Sequence, residues 1–165
     1  MALKGENKMI IGGTGGANTN LHGLQFEKNT DLKTMFKNAG IEIDADKFHG
    51  KAGFSSYLKT LGVDIDSIWS KGLRPDEALF LGDTVYIIEK KWQQVEGSVD
   101  EKLQTCDFKK KQYEKAVADL ELKVEYVYLL NDWFQNPKYK DVMDYIESVG
   151  CHYFFNEIPL DFFKM

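Results

Sequence analysis

Cysteine, histidine, arginine and long apolar runs are all scarce in this chain. Its two cysteines, Cys106 and Cys151, lie far apart with no CxxC-type spacing. That argues against a structural disulfide or a metal knuckle and for free thiols in a reducing cytoplasm. The three histidines, His22, His49 and His152, lack the partner spacing of a zinc site and read as surface or packing residues. No apolar run approaches the roughly 18 residues of a membrane span, so no membrane association is expected. The N-terminus is polar and then glycine-rich, without the apolar centre of a signal peptide. Gly12-Gly13 and Gly15-Gly16 around Thr14 match neither GxGxxG nor GxxxxGK[ST], so no phosphate-binding loop is licensed. Residues 1–20 read instead as a glycine- and asparagine-rich arm. Internal repeats and low-complexity tracts are absent.

What is present suits one α/β domain spanning residues 1–165. The net charge of −5 argues mildly against a polyanionic partner, but the distribution of charge matters more than the sum. Lys90-Lys91, Lys109-Lys110-Lys111 and Lys115 cluster in the middle, the C-terminal third is acidic, and Arg74 is the only arginine.

The most informative stretch is Leu73–Trp92. Two short apolar runs, Ala78–Leu81 and Val85–Ile88, flank Gly82-Asp83-Thr84, the pattern of a β-hairpin. Folding that turn returns Glu89, at the end of the second run, to Asp76 at the start of the first. Strand period places Lys91 on the same face as Glu89 and turns Lys90 away. Asp83 is a third acid but sits in the turn, at the wrong end. Two carboxylates and an ammonium converging at one end of a sheet suit a hard metal.

Around the hairpin, residues 21–39 read as helical, with Leu21, Leu24, Leu32, Met35 and Phe36 as an apolar face, a possible break at Thr30-Asp31 and a stop at Gly40. Ile41-Glu42-Ile43 reads as a short strand and Lys51–Leu61 as a short helix. Val63-Asp64-Ile65-Asp66 alternates as a half-buried strand or a loop would, and also invites a metal reading. Ser98 with Glu101 forms a capping-box pattern, from which one helix is expected to run to about Leu120. Its stripe is Leu103, Cys106, Lys110, Tyr113, Val117 and Leu120. Its opposite side carries Lys102, Lys109, Lys111 and Lys115, either a solvated face or a phosphate-facing one. Val124–Leu130 reads as a buried strand, Pro137 as the first turn of another helix, and His152–Phe155 as the last strand. The apolar tail Ile158–Met165 should dock on its own core or on a second subunit.

Pro75-Asp76, twelve intervening residues and then Glu89-Lys90-Lys91 resemble the motif of the PD-(D/E)xK nuclease superfamily. Gly23-Leu24-Gln25-Phe26-Glu27 upstream, with Lys91-Trp92-Gln93 and Gly97–Lys102 downstream, is similar to segments of type II restriction endonucleases. The resemblance implies a restriction-endonuclease-like core, a mixed central sheet flanked by helices in the order αβββαβ. It implies a Mg²⁺-dependent endodeoxyribonuclease, with Mn²⁺ as a substitute, in which Asp76, Glu89 and the Lys90 backbone carbonyl hold the metal. Lys91 would orient or deprotonate the attacking water, and Glu27 matches the helix glutamate that completes the site in many members. Arg74 would clamp the DNA backbone, Gln93 and Gln94 would meet phosphate or water, and Lys102 would face phosphate. Asn18 and Asn20 would reach a groove, where asparagine can pair with adenine. Double-stranded DNA, a homodimer and a cognate DNA methyltransferase are the implied partners. The residues leave open a structure-specific or repair nuclease of the same fold, such as a junction resolvase, and a non-catalytic DNA-binding or assembly module.

Overall fold

The hairpin is built as its residues dictate. Strands β1 (Glu77–Leu81) and β2 (Thr84–Lys91) pair antiparallel, with Leu81 opposite Thr84 and Glu77 opposite Ile88. Gly82 takes φ +60 at the first turn position, a conformation that suits glycine in a tight hairpin. A computed structural model describes residues 14–165, with side chains from residue 21 onward. Ahead of the hairpin lie α1 (Thr14–Asn29), α2 (Leu32–Asn38), α3 (Ala52–Thr60) and α4 (Ile65–Ile68). After it come α5 (Val99–Leu103), α6 (Cys106–Val117), β3 (Lys123–Leu130), α7 (Lys140–Ser148) and β4 (His152–Phe155). The four strands form one mixed sheet in the order β1-β2-β3-β4, with β2, β3 and β4 parallel. Each parallel neighbour is reached through helical crossovers, as parallel pairing requires.

Apolar side chains fill both faces of the sheet. On one, Ala78, Phe80, Val85, Ile87, Tyr126 and Tyr128 pack with residues of α3, α4, α6 and α7. On the other, Leu79, Tyr86, Ile88, Val127 and Leu129 pack with Leu32 and Phe36 of α2 and with Ile158 and Phe163. The C-terminal tail therefore docks on its own core. Coverage on both sides makes β2 buried along nearly its whole length, as expected for an inner strand of a parallel sheet.

Several expectations are corrected. Residues 14–20 belong to α1 and are not an irregular arm, while residues 1–13 lie outside the described residues. The break at Thr30-Asp31 is real: Asp31 caps α2, its carboxylate accepting from Thr34 N at 3.1 Å. Leu21 and Leu24, however, are exposed, at 62% and 59%. They do not share the buried face of Leu32 and Phe36, because the break reorients the chain between them.

Ile41–Ile43 is not a strand. Its isoleucines pack into the second core, and among the described residues the sheet-like pairing of this region is the bridge between Phe48 and Leu79. The expected three-strand run before the central helix is thus two strands and a bridge. Val63–Asp66 is the entry to α4, with Val63 and Ile65 buried and Asp66 paired to Lys59 at 3.0 Å, so it gathers no acids for a metal.

The single helix expected from Ser98 is two. Thr105 Oγ1 donates to the Lys102 carbonyl at 2.7 Å, one of the local bonds by which threonine competes with helix continuation. The Ser98 side chain makes no cap bond, so the capping box is not formed. The expected stripe survives the break, since Leu103, Cys106, Tyr113 and Val117 are buried and Lys110 extends its ammonium to the Gly150 carbonyl at 2.9 Å. The cysteines are free and buried. Among the described residues no helix is long and apolar enough to cross a membrane.

Candidate active site at the carboxyl end of the second strand

In the hairpin register, Asp76 immediately precedes β1 and Glu89 lies one residue beyond the partner of Glu77. The two acids therefore face each other at the carboxyl end of β2, the end where parallel α/β sheets place their ligands. Asp76 is fixed by its neighbour strand: its Oδ2 accepts from the backbone N–H of Lys90 at 2.7 Å. Glu89 is buried at 6% exposure, and Lys91 Nζ stands 3.7 Å from its carboxylate. Burial raises the Glu89 pKa above the usual glutamate range, and the charge of Asp76 raises it further. Lys91, Lys109 and Lys51 oppose that rise without cancelling it. The two carboxylates are thus held side by side, with Lys51 on Asp76 and Lys91 beside Glu89.

The alternate residues of the same strands form a second pair on the opposite face. Lys90 Nζ lies 2.9 Å from Glu77 and donates to the carbonyls of Glu27 and Thr30 at 3.0 and 3.1 Å. Glu77 in turn accepts from the backbone N–H of Leu32 at 3.1 Å. One buried ion pair thus holds a carbonyl from the last turn of α1, the Thr30 carbonyl just beyond it and the first amide of α2, where helix termini leave backbone groups unsatisfied. Burial pushes the Glu77 pKa to about 7 despite the Lys90 charge. This pair fixes where α1 presents Glu27.

Glu27 reaches the site through a residue that the motif did not indicate. Lys51 Nζ contacts Asp76 Oδ1 at 2.5 Å and Glu27 Oε2 at 3.5 Å. Burial would lower the Lys51 pKa, but the hydrogen bond to Asp76 and the charges of Asp76 and Glu27 outweigh it and raise the pKa. Lys109 and Tyr113 of α6 complete the surround: Lys109 adds a positive field at Glu89, and the Tyr113 hydroxyl is pushed upward by burial and then by the charges of Glu89 and Asp76. Nothing local marks Lys51 in the sequence except its place between Gly50 and the Ala52-Gly53 pair, a turn signal. Lys109 was visible only as one lysine among several on its helix.

The remaining expected residues are placed as follows. Arg74 and Gln94 are exposed, as is Lys102 on α5. Gln93 is buried, and its side-chain amide donates to the Val95 carbonyl at 2.5 Å, turned into its own loop. Asn18 and Asn20 lie in the first turns of α1, and their side chains are outside the described ones. A 410 Å³ pocket opens beside the site, bordered by Glu27, Asp76, Glu77 and Lys90.

No group of three or more carboxylate, imidazole or thiol side chains has metal-holding geometry among the described residues. The donor set still fits Mg²⁺, which takes few carboxylates, accepts backbone carbonyls and retains waters. Comparison of the chain with protein-family models, with curated proteins and with solved structures gives no significant match.

Proposed function

We propose that this chain is a Mg²⁺-dependent endodeoxyribonuclease of the PD-(D/E)xK type, acting on double-stranded DNA as a sequence-specific type II restriction enzyme. The observation that carries the reading is the apposition of Asp76 and Glu89 across the hairpin, with Lys91 on the same face 3.7 Å from Glu89. A hairpin followed by a helical crossover to a parallel strand supports this reading, since the motif residues lie on that hairpin. The antiparallel Phe48–Leu79 bridge adds a short pairing on the outer edge of β1.

Asp76, Glu89 and the Lys90 carbonyl would hold the metal. Bound there, Mg²⁺ supplies polarisation of a phosphate oxygen and acidification of a water. The chain's own residues do the rest. Lys91 orients the attacking water and offsets negative charge developing on the phosphate. Lys109 adds a second positive group on the same face. Glu27, whose carbonyl is anchored by the Lys90 ammonium near the end of its helix, would complete the metal site. Arg74, Gln94 and Lys102 are the exposed side chains available to the DNA backbone. One site cuts one strand, so symmetric cleavage of a duplex requires two copies of the chain. A cognate methyltransferase would protect host DNA from such an activity.

Purified protein incubated with plasmid and phage DNA in Mg²⁺ or Mn²⁺ tests this reading, beside Asp76→Ala and Lys91→Ala. Discrete bands that both substitutions abolish are expected, with Ca²⁺ preserving binding while blocking cleavage. Cutting confined to branched substrates would replace the restriction reading with a junction nuclease. No cleavage with any divalent metal, or cleavage that survives Asp76→Ala, would sink the nuclease itself.

A further inference from the structure

The backbone around Lys51 is held far more tightly than its side chain. Lys51 has φ 53 and ψ −133, and Gly53 N donates to the Gly50 carbonyl at 3.0 Å. These are the features of a type II′ turn with lysine where glycine is favoured. The turn is pressed onto the start of β1: Lys51 N donates to the Pro75 carbonyl at 2.7 Å and His49 N to the Ala78 carbonyl at 2.9 Å. A Cβ at Gly50 would lie 2.5 Å from the Asp76 carbonyl oxygen. By contrast the Lys51 side chain is 57% exposed. A strained, non-glycine conformation maintained by its surroundings is the kind of outlier that accumulates at working sites.

The occupancy of Asp76 gives that strain a purpose. Its Oδ2 is committed to the Lys90 amide, which sits in the sheet and cannot withdraw. Its Oδ1 is the oxygen left for a metal, and Lys51 Nζ occupies it while also reaching Glu27. We infer that Lys51 is a tethered, displaceable counter-cation that competes with the divalent metal for Asp76 Oδ1. In the free protein it bridges Asp76 and Glu27 and offsets part of their negative charge. When a metal enters, the ammonium swings into solvent on its exposed chain while the turn keeps it beside the site. Lys51 is in this sense a positioning residue, acting on the reaction through Asp76. The inference rests on the metal site proposed above.

Mn²⁺ titration of DNA-free protein, followed by the paramagnetic resonance signal of the free ion, separates the possibilities. Lys51→Met should bind Mn²⁺ about three- to tenfold more tightly than the unmodified chain, the range set by losing one partly exposed ion pair and its opposing charge. Lys51→Arg should stay within about twofold of the unmodified chain, since the charge remains. Lys51→Gly fits the turn without strain, so it should match Lys51→Met even if methionine disturbs the fold. Equal or weaker binding by both neutral variants, with binding still lost in Asp76→Asn, would overturn the role of Lys51 and leave the metal site standing. Absence of binding in every protein would overturn both.

Discussion

Replacing Glu77 by glutamine should change how stability depends on pH, and the size of the change follows from the site. Glu77 has 18% of its side chain exposed and lies 2.9 Å from the Lys90 ammonium. Desolvation nevertheless dominates and carries its pKa from 4.5 to about 7. A carboxylate with a raised folded pKa binds its proton more tightly when folded. Its contribution is therefore intact below pH 4.5 and is progressively lost as pH rises through 7. At 1.36 kcal/mol per unit, the loss between pH 5 and pH 8 comes to about 2.5 kcal/mol. Asp31 works in a different window. Burial would raise its pKa, but hydrogen bonds with Glu77 and Thr34 lower it below 3.8, so its contribution disappears only as pH falls below the range of the assay. Denaturant unfolding of both proteins at several values from pH 5 to pH 8 measures the effect. The unmodified chain should lose about 2–3 kcal/mol relative to Glu77→Gln across that range. The constant offset between the two proteins reflects the exchange of a protonated carboxyl for an amide beside Lys90, so the slope is the diagnostic quantity. A difference that stays flat within about 0.5 kcal/mol would refute the reasoning, as would a Glu77 carboxyl resonance titrating near 4.5.

Three further outcomes are expected. Gly50→Ala puts a methyl 2.5 Å from the Asp76 carbonyl oxygen and 3.3 Å from Glu77 Cα; it should cost about 1–3 kcal/mol in thermal or denaturant unfolding and weaken Mn²⁺ binding. The Tyr126 hydroxyl is buried without a hydrogen-bond partner among the described residues, so Tyr126→Phe should be neutral or stabilising by up to about 1 kcal/mol, and a clear loss would reveal a partner. Phe163 is 2% exposed and packs edge-on against Phe36 and Tyr86; Phe163→Ala should cost about 3 kcal/mol in denaturant unfolding, whereas a loss under about 1 kcal/mol would mean that the tail is not part of the core.

The hairpin, the apposition of Asp76 with Glu89 and the turn of Lys90 to the opposite face were legible because each follows from short-range rules. Period two, a glycine turn and a register count are enough to state them. The division of α1 from α2 was legible for the same reason, since Asp31 carries its own capping signal. What could not be read depends on contacts between distant segments. Ile41–Ile43 has the composition of a strand, but its isoleucines are drawn into the core beside Phe36 and Phe48, leaving only Phe48 to pair with β1. The division of α5 from α6 at Gln104-Thr105 followed a side-chain bond that ordinary helix propensity does not weigh. Lys51 was hidden twice, because it lies 25 residues from Asp76 and adopts a backbone conformation that composition would assign to glycine.

The same alternation that made the site readable also makes it dependent on register. Residues 89, 90 and 91 distribute their side chains to opposite faces of β2: two toward the core with α6, one toward α1 and α2. A slip of one residue would exchange these faces, sending Lys90 to the metal side and burying Glu89 beneath the helices. Three features oppose that slip. Gly82 fixes the turn at one end of the hairpin. At the other end the Asp76 side chain bonds the Lys90 amide across the strands. Beyond it, Asn131 both donates to the Gln93 carbonyl at 2.7 Å and accepts from the Gln93 amide at 3.0 Å, joining the ends of β2 and β3. Asp76 therefore has two tasks, since the oxygen that fixes the strand register is not the one left to meet a cation. That division explains why an acid at this position must be held by backbone as well as by charge. It also implies that Asp76→Asn, which can still accept from Lys90 N–H, removes the cation site with less damage to the fold than Asp76→Ala.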